Sequence, residues 1–203
     1  MNYRINEIYI LTYRIFLVYV NYTICRLLFI YFNNDLLQIN DFSELIKLLY
    51  HGVRFDNMSI VYFNSIFILL SIIPTKINTL KIYQDILIWI YFIFNGIGML
   101  LNFIDFGYYR FNLNRLMSSF LEAIESEPNK IQLIFHYIFD YYHLLIIFFF
   151  FLFIWILFYK MIKIENQNSL NKKNYYISSL FIFFITTALC IMGARGGDFK
   201  KST

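Results

Sequence analysis

His136, Asp140 and His143 stand at spacings i, i+4 and i+7, so on an unbroken helix an imidazole, a carboxylate and a second imidazole share one face. Those groups at that spacing would present three ligands to a divalent metal. No glutamate or third histidine stands beside them, and His and Tyr are ordinary residues at a membrane interface, so the trio also reads as a plain helix end. The other chemically capable residues are arginines and acids in or beside apolar runs. Arg14 and Arg26 fall twelve residues apart inside one apolar stretch. Each costs about 2.5 to 3.5 kcal/mol at a helix centre in lipid unless it snorkels or meets a partner. A separation of roughly 18 Å along the axis would let them reach opposite interfaces as anchors, and the alternative is a polar contact with another helix or a lipid headgroup. Arg54 and Asp56, in His51-Gly52-Val53-Arg54-Phe55-Asp56, read as a charged pair at a membrane edge. The sequence contains no P-loop, no His-Glu-x-x-His, no Gly-x-Ser-x-Gly and no Cys-x-x-Cys, so no residue is assigned a catalytic role.

The elements that must position these groups are membrane helices. Tyr141 to Tyr159 contains no Gly, no Pro and no charge. Roughly 20 such residues, at about 1.5 Å each, cross a hydrocarbon core of about 30 Å, where helix is the open segment that satisfies its own backbone. Hydrophobic residues make up 60% of the 203, aromatics 22% and charged residues only 15%, too little polar surface for a soluble domain of this length. Two prolines and seven glycines leave long helices uninterrupted. Cys25 and Cys190 fall in different apolar stretches and read as small apolar residues, not as a disulfide. A net charge of +4 is too modest to argue for nucleic acid; its distribution argues for orientation.

The expected fold is all-α, a single polytopic membrane domain over 1–203 with five spans near 8–32, 56–73, 82–105, 131–162 and 175–193. Two short interfacial helices are expected on the extracytoplasmic side. In Phe42 to Tyr50, Phe42, Leu45, Ile46 and Leu49 stand opposite Glu44 and Lys47, and Leu113 to Ile124 repeats the amphipathic pattern. Gly96 and Gly98 in the third span would admit another helix closely. The fourth helix is longer than the bilayer core, so its first turns, with the His-Asp-His trio, should project from it. A cytoplasmic N-terminus puts Arg4, Lys76, Lys81, Lys160, Lys163, Lys172 and Lys173 inside, as the positive-inside rule prefers, and the C-terminus outside.

Several short motifs, in order, resemble the membrane-embedded N-terminal part of the bacterial sulfatase-like phosphoglycerol transferases, the lipoteichoic acid synthase family, particularly its Gram-negative versions. They are Tyr13-Arg14, Cys25-Arg26-Leu27-Leu28-Phe29 and Gly52-Val53-Arg54-Phe55-Asp56, then Asn102-Phe103-Ile104-Asp105-Phe106-Gly107-Tyr108-Tyr109-Arg110-Phe111 with Arg115. Asp140-Tyr141-Tyr142 and Ala194-Arg195-Gly196-Gly197 complete the set. The resemblance covers essentially all 203 residues. It implies a membrane anchor in the bacterial cytoplasmic (inner) membrane for an extracytoplasmic α/β catalytic domain with a divalent metal and a threonine nucleophile. It also implies a phosphoglycerol or phosphoethanolamine-type transfer to cell-envelope lipids or glycans. That domain, its metal and its nucleophile have no counterpart in these residues, so the chain itself carries no cofactor and is catalytically incomplete as it stands. The implied partners are membrane phospholipid and a catalytic ectodomain in cis or in trans. Arg54, Asp56, Asp105, Arg110, Arg115 and Arg195 would then lie near the outer interface, where they either orient a lipid phosphate and dock that domain or pair with each other. The alternative readings are a small membrane subunit or transporter-like protein without enzymatic activity, and a decayed remnant.

Overall fold

A computed structural model describes residues 2–37, 41–73, 77, 80–113, 132, 136, 139–162 and 172–194. Arg115, Arg195 and the amphipathic segment expected after Leu113 lie outside them. The described residues are helical: α1 (Asn2–Phe32), the single turn α2 (Asn34–Leu37), α3 (Phe42–Ser71), α4 (Lys81–Asn112), α5 (Tyr142–Met161) and α6 (Lys172–Ala194). The chain is an all-α polytopic membrane domain. Among the described residues four helices, Glu7–Phe32 within α1, then α3, Lys81–Arg110 within α4, and α5, are long and apolar enough to span a bilayer. The fifth expected span corresponds to α6, whose described apolar part is the shorter Leu180–Gly193.

The surface explains why this fold belongs in lipid. On α5, Leu144, Phe148, Trp155 and Tyr159 are buried on one face, while Phe149, Phe150, Phe153 and Leu157 are exposed on the others. Trp89, Ile93 and Ile97 of α4 and Phe181 and Phe184 of α6 are exposed as well. In water such a belt would drive association. In hydrocarbon it is solvated, and the helices are held by close packing and interhelical hydrogen bonds.

α1 packs against α3, α4 and α5; α3 also packs against α4 and α6, and α4 against α5. α1 and α4 run parallel, as the successive contacts Arg14–Tyr91, Asn33–Phe106 and Asp35–Arg110 require. α5 returns antiparallel, so Phe148 meets Phe103 near one end and Tyr159 meets Tyr91 near the other. The bundle thus has an Asp35 end and a Lys160 end.

Two expected elements differ from what forms. Phe42 to Tyr50 is not a separate interfacial helix: it continues without a break into the second span as the 30-residue α3, capped by Asp41, whose side chain accepts from the Ser43 amide. Gly52 and the polar residues beside it lie inside this helix, because tertiary contacts there outweigh glycine's weak helix propensity. The fourth helix, in turn, does not run unbroken from Ile131. α5 is capped at Tyr141, whose φ of −110° and ψ of 26° leave the helical region, and begins at Tyr142. The helix that holds the third expected span, α4, runs on to Asn112, where Leu113 takes the left-handed conformation (φ 54°).

Candidate functional site

At the Asp35 end, α1 turns an arginine inward and not up along the surface. The Arg26 guanidinium donates from Nη2 to Asp56 Oδ1 at 2.8 Å and from Nη1 to the Leu48 carbonyl at 3.4 Å. It crosses α3 at Gly52, where a Cβ would coincide with its Nη1. Glycine is required there by this close approach, not by backbone torsion. Only 12% of the Arg26 side chain and 17% of Asp56 are exposed, so the pair is largely desolvated. The partner of Asp56 across the helices is therefore Arg26, thirty positions away in sequence, and not only a neighbour in its own motif; the side chain of Arg54 lies outside the described atoms.

One turn on, Tyr19 Oη donates to Asn57 Oδ1 and Asn57 Nδ2 donates to the Gly193 carbonyl at 3.4 Å, tying α1, α3 and α6 together. Beyond this knot, Ile46, Leu49, Tyr50 and Val53 of α3 line an open, mainly apolar groove of about 590 Å³ with Tyr19 and Asn57. Nearer the helix ends, Arg110 Nη2 meets Asp35 Oδ2 at 2.7 Å, with both side chains exposed. Asp105 is buried, and Asn33, also buried, donates to the Phe29 and Phe106 carbonyls and so fixes the end of α1 to α4.

The other half of the bundle holds a different arginine. Arg14 is 5% exposed, and its Cζ lies 4.2 Å from the ring centroid of Tyr159. Tyr91 Oη donates to the Arg14 carbonyl at 2.9 Å and accepts from Trp155 Nε1 at 3.1 Å, while Tyr13 Oη donates to the Phe158 carbonyl at 3.2 Å. Among the described residues no carboxylate pairs with Arg14. Its charge is balanced by the ring face of Tyr159 and by the negative C-terminal end of the α5 dipole, since Tyr159 stands in that helix's last turn. Neither arginine snorkels; both take the reading of contact with another helix.

Between the two layers, Asn64 and Asn95 are fully buried and exchange hydrogen bonds in both directions, at 2.9 and 2.7 Å, while each also donates to the carbonyl four residues back on its own helix. An Asn placed mid-span was the sequence signal for this clasp, because an unpaired amide in hydrocarbon is costly. Of the two glycines expected to admit a neighbour, Gly98 does so, with the Tyr22 hydroxyl filling the space, while Gly96 has open space around it.

The His136, Asp140 and His143 trio is not assembled. The cap at Tyr141 falls between Asp140 and His143 and breaks the common helical face; all three side chains are exposed, and His143 rests beside the rings of Phe32 and Tyr141. Among the described residues no three His, Cys, Asp or Glu side chains gather where they would hold a metal ion. Cys25 and Cys190 are both free, with Cys25 buried on α1. Of the six residues expected at the outer interface, Asp56, Asp105 and Arg110 lie towards the Asp35 end, Arg54 is on the same stretch of α3, and Arg115 and Arg195 are outside the described residues.

No protein-family model, curated protein or solved structure matches the chain.

Proposed function

We propose that this chain is the membrane module of a lipid-headgroup transferase of the sulfatase-like phosphoglycerol or phosphoethanolamine type. In this reading it sits in a bacterial cytoplasmic membrane with its N-terminus inside, and the Asp35 end faces outward. The observation that carries the proposal is the gathering of Arg26, Asp56, Asp105 and Arg110 at one end of the bundle, the end towards which α6 delivers the chain through Gly193. An arginine fork suits a phosphate, and exposed Arg110, held by Asp35, is placed to exchange a carboxylate for a headgroup. The exposed Lys81 and Lys160 lie at the opposite end, which the positive-inside preference assigns to the cytoplasm. The chain would act with a catalytic ectodomain, in cis or in trans, that supplies the metal and the nucleophile.

One observation favours the second reading, a membrane subunit without enzymatic activity: Arg26 and Arg110 already have carboxylate partners within the bundle. Disrupting the gene in the source cell and following tritiated glycerol from phospholipid into envelope acceptors separates the two. A fall in headgroup transfer of roughly tenfold, a change of about 1.4 kcal/mol in the effective barrier, is the expected result. Transfer at the parental rate would overturn the transferase reading and leave the subunit reading standing.

A further inference from the structure

The aromatic layer around Arg14 contains two buried donors with no acceptor. Arg14 Nε and Tyr159 Oη are both shielded from solvent and have no hydrogen-bond partner, and their residues are 5% and 1% exposed. They belong to one contact, since the guanidinium lies over the ring that carries the hydroxyl. The neighbouring hydroxyls do not serve either donor: Tyr91 Oη and Tyr13 Oη direct their own protons to the Arg14 and Phe158 carbonyls, and neither oxygen comes within hydrogen-bond distance of Arg14 Nε or Tyr159 Oη. A full positive charge and two orphan donors within a low-dielectric bundle select an acceptor that carries negative charge. Burial selects its size, because residues this enclosed are closed to the phosphate of a lipid headgroup.

We propose that Arg14 and Tyr159 form an intramembrane site for a small monovalent anion of halide type, held by Arg14 Nε and Tyr159 Oη beside the C-terminal turn of α5. The bound anion would neutralise the one buried arginine that has no carboxylate partner among the described residues, and so join α1 to α5. This site is separate from the Asp35 end and does not depend on the transferase reading.

The test is thermal unfolding of the full chain, purified in detergent, as sodium chloride replaces sodium gluconate at constant ionic strength. A ligand that binds only the folded state raises the midpoint with concentration by mass action. The expected result is a saturable rise of several degrees in the midpoint. Tyr159→Phe keeps the ring face under Arg14 and removes one donor, so half of the rise should need roughly tenfold more chloride. Arg14→Gln should abolish the rise whatever its starting midpoint. No chloride dependence in the unaltered chain would overturn the site, as would an unchanged half-point in Tyr159→Phe. If Arg14→Gln does not fold, those two measurements still decide.

Discussion

Two arginines of one helix are buried by opposite means. Arg26 has a carboxylate at 2.8 Å, a backbone carbonyl and a glycine that makes room for it; Arg14 has an aromatic face, a helix end and no acid among the described residues. Breaking a buried ion pair by removing one partner is costly because the other charge stays behind, whereas a buried arginine without a paired acid leaves no such debt. The difference therefore lies in what each arginine's loss would strand.

The largest expected effect comes from denying Arg26 its path. Gly52→Leu puts carbon where the guanidinium lies, so it should both separate α1 from α3 and expel the charge from Asp56. A loss of roughly 3 to 5 kcal/mol is expected, read as collapse of monodisperse protein in size-exclusion chromatography. Arg26→Met should cost about 3 kcal/mol in thermal or denaturant unfolding, and the double change Arg26→Met with Asp56→Leu should recover much of it, since an apolar pair of similar volume replaces a desolvated ionic one. Recovery below half would mean that Asp56 answers chiefly to other contacts. Asn64→Leu, in the clasp between the two layers, should cost about 1 to 2 kcal/mol, and the amide of Asn95 should lose its slow hydrogen exchange. The smallest effect is assigned to Arg14→Met: in halide-free buffer its stability should stay within about 1 kcal/mol of the parent, of either sign. A loss as large as that of Arg26→Met would erase the contrast between the two sites.

The spans were readable because a bilayer imposes a length and a composition on any helix that crosses it, and the run from Tyr142 to Met161 meets both without reference to the rest of the chain. Asn64 and Asn95 each stand in an apolar run, and nothing in the sequence pairs them, since spacing along a chain does not say which helices touch. The His136, Asp140 and His143 face assumed an unbroken helix, and the cap at Tyr141 removed that assumption. Gly52, in the sequence only one member of a charged stretch, is the point where a helix is thinnest because Arg26 passes there. The motifs that carried the family resemblance held Arg26, Asp56 and Arg110 without pairing them: Arg26 meets Asp56 thirty positions away, and Asp35, the partner of Arg110, lies outside those motifs.

Sequence by itself determined that this protein is a bundle of membrane helices, because hydrophobic length is a local property that every segment carries independently. Tertiary structure decided what the charges do. A guanidinium in lipid takes whichever compensation its neighbours offer, and whether that is Asp56 or the ring of Tyr159 depends on which helices pack against α1.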